Sequence, residues 1–122
     1  MRPKILAYGT DPILLTTRRL VLENAGYRVF TSVEFSDTML VLLNQQIDVL
    51  LLCHSLHDDE RRGILETARA ITPDVKCVIL DYDGGAVPIK DAELVEGLEG
   101  PNTLLRAIGK LLTHNAELHT VA

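Results

Sequence analysis

The sequence alternates short aliphatic runs with amphipathic stretches, and this alternation limits the folds open to the chain. Five runs have the length and composition of strands, at residues 4–8, 27–31, 47–53, 75–80 and 92–96. The stretches between and after them show helical periodicity, at about 12–25, 34–45, 59–71 and 100–113. Strands that alternate with helices form parallel sheets joined by right-handed crossovers. We therefore predict an α/β protein built on a five-stranded parallel sheet.

Local signals mark the first helix and predict which faces of the helices are buried. Asp11 is placed to cap its N-terminus, Pro12 suits the first helical position, and Gly26 stops it. The inner stripe of this helix is predicted to hold Leu14, Thr17 or Arg18, Val21 and Ala25. The second helix is predicted to bury Phe35, Met39, Leu42 and Leu43, and the last helix Leu104, Leu105, Ile108, Leu111 and Leu112.

Five strand–helix units in about 115 residues fit one doubly wound, flavodoxin-like domain with strand order 2-1-3-4-5. In such a sheet we expect any site at the carboxyl ends of strands 1 and 3. The segment from Asp81 to Gly97 contains Gly84, Gly85 and Pro88, so we predict that the fourth helix is shortened or missing. The domain is predicted to cover residues 1–115, and residues 116–122 to fray.

Net charge, hydrophobicity and cysteine content limit the kinds of partner and compartment that we expect for the chain. The net charge of −5 argues against nucleic-acid binding, and the two short basic pairs, Arg18-Arg19 and Arg61-Arg62, are interpreted as solvated helix faces. No secretory segment or membrane span is evident. The two cysteines have no short spacing and are interpreted as free thiols of a reducing compartment. We expect a cytoplasmic protein.

Four segments together carry a family pattern: KILAYGTDPILLTTRRLVLENAGYRV, IDVLLL, VKCVIL and EGLEGPNTLLRAIGKLL. They resemble the receiver domains of bacterial two-component response regulators, and the resemblance covers nearly all of residues 4–112. It implies a flavodoxin-like fold and phosphoryl transfer from a histidine kinase to an aspartate at the end of strand 3. That chemistry implies acidic residues after strand 1 that hold Mg²⁺, a Ser or Thr after strand 4, and a Lys after strand 5.

The sequence departs from the receiver pattern at each of those positions. The acidic pair falls on Gly9 and Thr10, and the phospho-acceptor position falls on Cys53. Asp81 stands at the Ser/Thr position and Gly97 at the Lys position. Asp11 comes one place after the acidic pair and is better explained as a helix cap. The degenerate pocket is thus predicted to comprise Gly9, Thr10, Asp11, Cys53, Asp81 and Gly97.

We therefore predict a phosphorylation-independent receiver-like module that acts through protein–protein contact, with other signalling proteins or with a second copy. Asp58 and Asp59 are the alternative phospho-acceptors, although they lack the lysine and the acidic pair. The alternative function is a small-molecule or thiol-redox sensor that uses the pocket around Cys53, with Asp81 nearby raising the thiol pKa. We expect no catalytic residues, cofactor or metal, and no membrane or nucleic-acid partner.

Other combinations of reactive residues have simpler explanations. Cys53 and His54 are adjacent in a strand and point to opposite faces, so a nucleophile–base pair is not expected. His54 and His57, with Asp58 and Asp59, form a metal-capable cluster that we interpret as a polar loop. A Cys53–Cys77 disulfide is excluded by the predicted strand alignment, which separates the two by about 13 Å.

Overall fold

A computed structural model describes residues 2–53, 56–81, 92–96 and 100–121, without the side chains of Glu96 and of residues 114–121. Its strands are β1 (Lys4–Tyr8), β2 (Arg28–Ser32), β3 (Val49–Leu52), β4 (Lys76–Asp81) and β5 (Ala92–Glu96). Its helices are α1 (Pro12–Asn24), α2 (Phe35–Asn44), α3 (Asp58–Ile71) and α4 (Pro101–Val121). β1 and β5 match the predicted strands to the residue, and most other element ends lie within one or two residues of their predicted positions.

The five strands form one parallel sheet in the order β2-β1-β3-β4-β5. This is the predicted doubly wound order. β3 lies in the centre and all four of its residues are buried, as expected for a strand covered on both faces. Since all strands run the same way, their carboxyl ends share one edge of the sheet.

Two apolar clusters cover the two faces of the sheet. On one face, α2 and α3 pack over residues such as Leu6, Leu50 and Ile79. On the other face, α1 and α4 pack over Ala7, Leu51, Val78 and their neighbours. Side chains along a strand alternate between the two clusters, so the face on which a residue lies follows from its position.

α1 begins and ends as its sequence indicates. The Asp11 carboxylate accepts hydrogen bonds from the backbone N–H groups of Ile13 (3.0 Å) and Leu14 (3.3 Å), and Pro12 is the first helical residue. At the other end, Gly26 has φ +99° and its N–H bonds to the Glu23 carbonyl, while Tyr27 N–H bonds to the Leu22 carbonyl. This pair of bonds is a Schellman motif, which needs a residue with positive φ.

The predicted inner faces of α1 and α2 are partly right. Leu42 is buried as predicted, and so is Arg18, the alternative to Thr17, whereas other positions shift by one residue. α1 buries Leu15, Arg18 and Leu22. Apolar residues stand at both 14/15 and 21/22, and the helix turns to bury the two leucines, which remove more apolar surface from water than Val21 and Ala25 would. α2 buries Thr38 and Leu42. Met39 packs partly against the core, whereas Phe35 and Leu43, predicted to be inside, are exposed.

The final helix follows its predicted face. Leu104 and Ile108 are buried, and Leu105, Leu111 and Leu112 pack partly against the same cluster. Its backbone continues to Val121, and the predicted fraying of residues 116–122 stays a prediction. The residues behind the prediction of a shortened fourth helix, 82–91, lie outside the described part of the chain. No helix within the described ranges is long and apolar enough to cross a membrane.

Candidate functional site

The carboxyl edge of the sheet brings the ends of β1, β2 and β3 together. Gly9 N–H donates to the Ser32 carbonyl (3.2 Å), and Cys53 N–H donates to the Tyr8 carbonyl (3.0 Å). These bonds continue the β1–β2 and β1–β3 ladders by one residue. Gly9 and Cys53 are therefore at the edge where doubly wound proteins place their sites, as predicted.

The Cys53 side chain is part of the core. It is 1% exposed and packs in the aliphatic cluster formed with α1 and α4. Burial raises the pKa of the Cys53 thiol, because the charged thiolate is poorly solvated there. The Arg18 guanidinium and, to a smaller extent, that of Arg61 act to lower this pKa, but burial outweighs them.

Two arginines at this edge are buried, and of these only Arg18 stands among the predicted inner positions, as the alternative to Thr17. Arg18 is 7% exposed and Arg61 is 5% exposed, whereas Arg19 and Arg62 are exposed. The interpretation of both basic pairs as solvated faces is therefore wrong for the first member of each. Helical spacing offered the signal, because Arg18 is three residues after Leu15 and four before Leu22.

Arg61 is oriented by its own helix. Its Nη1 donates to Asp58 Oδ1 at 2.6 Å, three residues earlier in α3. The Asp58 side chain is about one-third exposed, so this ion pair sits at the boundary between core and solvent. One of the two alternative phospho-acceptors is thus engaged by a buried cation.

Asp81 does not join Cys53. Leu52 is level with Ile79 in the β3–β4 register, so Cys53 comes level with Leu80. By strand alternation, Asp81 then lies on the α2–α3 side of the sheet, whereas Cys53 packs on the α1–α4 side. Asp81 is buried, and no hydrogen bond or ion pair joins it to another described residue. The expectation that Asp81 raises the Cys53 pKa is wrong, since burial is what raises it.

The remaining predicted pocket residues are Thr10, Asp11 and Gly97. Asp11 is the cap of α1, as predicted, so its carboxylate is committed to backbone N–H groups. Thr10 is exposed at the start of that cap. Gly97 lies outside the described residues. The structure thus brings together the ends of β1 and β3 from the predicted pocket and separates Asp81 from them.

Negative charge gathers on the α2–α3 side of the same edge. Tyr8 is buried at the end of β1, and its pKa is raised first by burial and then by the carboxylates of Glu60 and Glu34. Neither glutamate was singled out in the sequence. They begin α3 and precede α2, positions where carboxylates are favoured by the helix dipole.

His57 serves as the residue before α3. Its backbone N–H donates to the Glu60 carboxylate at 3.4 Å, an arrangement that satisfies a helix-end donor. His54, the other histidine of the suspected cluster, lies outside the described residues. Among the residues that the structure does describe, no group of three potential metal ligands comes together.

The two cysteines are free and lie on opposite faces of the sheet. Cys77 is level with Leu50, three residues before Cys53, and it belongs to the α2–α3 cluster. The absence of a disulfide is confirmed, and the reason is stronger than offset along the strands. The sheet itself separates the two thiols.

A cavity of about 170 Å³ opens at the opposite, amino-terminal edge. It is lined by Gln46, Ile47, Asp48, Thr72, Asp74, Lys76 and Leu112. Asp48 Oδ2 already accepts a hydrogen bond from Lys4 N–H at 2.8 Å, which ties the start of β1 to the start of β3. This cavity is not part of the predicted pocket.

Comparison with known proteins identifies the architecture. No protein-family model and no curated protein matches the sequence. A CheY-like response regulator receiver domain from Methanospirillum hungatei superposes with a TM-score of 0.79 over 96% of this chain and 99% of its own, at 22% identity. The signal receiver domain of an HD-domain protein from Pseudomonas fluorescens gives 0.81 over 98% and 93%, at 17% identity.

The chain has the receiver fold. A response regulator from Thermotoga maritima agrees, with a TM-score of 0.74 over 93% of this chain and 99% of its own, at 19% identity. Each of these matches covers more than nine-tenths of this chain and of the matched chain. At these sequence identities the likeness shows the fold alone. What chemistry the carboxyl edge can perform has to be judged from its own side chains.

Proposed function

We propose that this receiver-fold chain is a signal-transduction module that works by binding other proteins and is not switched by phosphorylation. It is a binding module and not an enzyme, and its partners are proteins, not nucleic acid or membranes. Function argued from a fold is analogy, so the proposal depends on the residues at the carboxyl edge. The observation that carries it is the burial of Cys53.

Cys53 is unsuited to the work of a receiver acceptor. A phospho-acceptor must meet a phosphoryl donor and Mg²⁺ in line, and Mg²⁺ prefers hard oxygen ligands to sulfur. The Cys53 side chain instead faces the aliphatic cluster below α1 and α4 and is almost fully screened from solvent. Its position therefore supports loss of aspartyl-phosphate chemistry at this strand end.

The end of β1 supports the same conclusion. Gly9 and Thr10 carry no carboxylate, and the Asp11 carboxylate already accepts two backbone hydrogen bonds of α1. Moving Asp11 to a metal would leave both N–H donors unsatisfied and would cost about 1 kcal/mol of helix stability. We infer that this edge does not hold Mg²⁺ in the manner of a phosphorylatable receiver.

The proposal is tested by adding beryllofluoride and Mg²⁺ to the ¹⁵N-labelled full chain and recording amide shifts. We expect no saturable shift at Gly9, Thr10 or Cys53, with Mg²⁺ alone or with both reagents. A phosphorylatable receiver domain treated in parallel shows that the reagents are active. Saturable shifts centred on Cys53 contradict the proposal, and saturable shifts at Asp58 or Asp59 contradict it in favour of an acceptor in α3.

One observation favours the thiol-sensor alternative. The buried Arg18 guanidinium acts to lower the Cys53 pKa, as a cation near a thiolate does. Burial nevertheless raises the Cys53 pKa overall, and a reagent has almost no access to the sulfur. We therefore rank this function second.

A thiol-reactive disulfide reagent separates the two functions. We expect Cys53 in the Cys77→Ala variant to react at neutral pH only as fast as the fold opens, and to react fully in denaturant. The Cys53→Ala variant, which keeps only the equally buried Cys77, is the matched control. Rapid stoichiometric labelling of Cys53 with Cys77 still protected would establish the sensor function instead.

A further inference from the structure

The cavity at the amino edge of the sheet carries charges of both signs. Its lining includes the carboxylates of Asp48 and Asp74 and the ammonium group of Lys76. At about 170 Å³ it has room for on the order of ten water molecules, which is less than a drug-sized ligand needs. It lies at the end of the sheet away from Cys53. A ligand that fits this cavity is therefore a small metabolite, and it does not use the degenerate receiver pocket.

The opposite charges around the cavity do not pair with one another. Within the described ranges, no ion pair joins the Lys76 ammonium to Asp48, to Asp74 or to any other residue. The Asp48 carboxylate is held through Oδ2, which accepts the Lys4 backbone N–H at 2.8 Å, and turning it toward Lys76 would leave that N–H unsatisfied. Lys76 lies on the α1–α4 side of the sheet, because its neighbour Cys77 belongs to the α2–α3 cluster. The fold thus keeps an ammonium group and two carboxylates apart around one cavity.

Thr72 adds a buried hydroxyl to the lining of the same cavity. The residue is 8% exposed, and no hydrogen bond joins its hydroxyl to another residue in the described part of the chain. Its backbone is fixed, since its N–H donates to the Ala68 carbonyl at 2.7 Å and its carbonyl accepts the Val75 N–H at 3.1 Å. Buried polar groups are normally hydrogen-bonded. Thr72 is therefore placed in advance to bond to a polar atom of a ligand.

We propose that the amino-edge cavity binds a small zwitterionic amino acid. The ammonium group of the ligand binds to the carboxylates of Asp48 and Asp74. The carboxylate of the ligand accepts hydrogen bonds from the Lys76 ammonium and the Thr72 hydroxyl. An aliphatic side chain packs on Leu112, which α4 contributes to the lining. This site goes beyond the proposed function and does not depend on it.

The charges of the lining select a zwitterion over a simple ion. A ligand that is only cationic is repelled by the Lys76 ammonium, and a ligand that is only anionic is repelled by the two carboxylates. A free amino acid carries both charges on neighbouring carbon atoms, so it matches both signs within a space of this size. For a ligand of about nine non-hydrogen atoms, such as leucine, we expect a dissociation constant between about 0.1 mM and about 10 mM.

Titration of the ¹⁵N-labelled full chain with L-leucine, followed by amide shifts, tests the site. We expect saturable shifts at residues 46–48, 72–76 and 112. Two analogues test the charges of the ligand: 4-methylpentanoate is leucine without its ammonium group, and 3-methylbutylamine is leucine without its carboxylate. Each should bind roughly tenfold more weakly or worse, because it leaves charged groups of the lining unmatched.

Two exposed aspartates give a matched pair of variants. Asp74→Asn removes one carboxylate from the cavity and should weaken L-leucine binding roughly threefold or more. Asp37→Asn, in the first turn of α2 and not part of the lining, should bind L-leucine like the wild type. Lys76→Met retains the apolar stem and should reduce the preference for L-leucine over 3-methylbutylamine to less than about twofold.

A wild type without saturable shifts in L-leucine overturns the inference, and so does an analogue that binds as tightly as L-leucine. An Asp74→Asn variant that binds no more weakly than Asp37→Asn overturns it as well. Should Lys76→Met fail to fold, the analogues and Asp74→Asn decide. Shifts centred on Cys53 overturn the inference in favour of a ligand at the carboxyl edge. None of these results alters the beryllofluoride titration, so the two proposals fail separately.

Discussion

At the scale of single residues, the carboxyl edge is organised by a thiol and an arginine that share the core. Cys53 and the α1 residue Arg18 are both buried, and the guanidinium acts to lower the thiol pKa. A buried guanidinium is costly to desolvate, but its long stem packs as an apolar side chain does. The position that the receiver resemblance assigns to a nucleophile has thus become part of the packing.

The packing role of Arg18 predicts a difference between two adjacent arginines. Arg18→Ala should lower the free energy of unfolding by about 1–3 kcal/mol, because it removes a packed stem. Arg19→Ala should change it by less than about 0.5 kcal/mol, since its bond to Glu23 at 3.3 Å is half exposed. Urea denaturation measures both. Arg18→Met, which retains the stem, should be less damaging than Arg18→Ala, and equal losses at positions 18 and 19 would refute the assignment.

The buried thiol of Cys77 should make the free energy of unfolding depend on pH in the alkaline range. Burial raises the pKa of its thiol to about 12, so the folded chain keeps the proton while the unfolded chain loses it from the ordinary value of 9.0 upward. The contribution of this thiol is complete below pH 9.0 and is lost as the pH rises toward about 12. The loss approaches about 1.4 kcal/mol per pH unit.

A comparison of the wild type with Cys77→Ala isolates this effect. The variant should be the less stable at about pH 8, because it leaves a small cavity. At about pH 10.5 the difference in unfolding free energy should shift by about 2 kcal/mol in favour of the variant, which has no thiol to ionise there. Urea denaturation at the two pH values measures it. A difference that is constant with pH would show that Cys77 is not protected in the folded chain.

At the scale of elements, the ends of a helix are determined by residues close to them in sequence, whereas the face that a helix buries depends on contacts with other elements. The ends of α1 follow from Asp11, Pro12 and Gly26, whose effects act within a few residues. The phase of α2 follows from a hydrogen bond between Thr38 and Ser32, which stands in another element. Apolar periodicity alone could not reveal that bond, so it predicted Leu42 correctly but also placed Phe35 and Leu43 inside.

The cap of α1 gives a prediction at this scale. Asp11→Ala should lower the free energy of unfolding by about 1 kcal/mol, since the N–H groups of Ile13 and Leu14 lose their acceptor. Asn24→Ala, an exposed change in the last residue of the same helix, is the control and should stay within about 0.5 kcal/mol. Thermal and urea unfolding both report the difference. If Asp11→Ala left the free energy of unfolding unchanged, the Asp11 carboxylate would not be needed as the cap of α1.

At the scale of the whole molecule, strand order was predictable and the pocket was only partly so. Alternating aliphatic and amphipathic segments leave few topologies for a parallel sheet, and the buried β3 fixes its centre. The pocket depends on which face each strand-end side chain takes. Asp81 and Cys53 lie on opposite faces of the sheet because of the β3–β4 register. The register between two strands that are distant in sequence cannot be predicted from either strand alone.

The most direct test of the central claim is covalent. The full chain is incubated with acetyl phosphate and Mg²⁺, and its intact mass is compared with that of a phosphorylatable receiver domain in the same mixture. Because Cys53 is buried and the end of β1 carries no carboxylate free for a metal, we expect the mass to remain that of the unmodified chain. A gain of one phosphoryl group on Cys53, Asp58 or Asp59 would contradict the account.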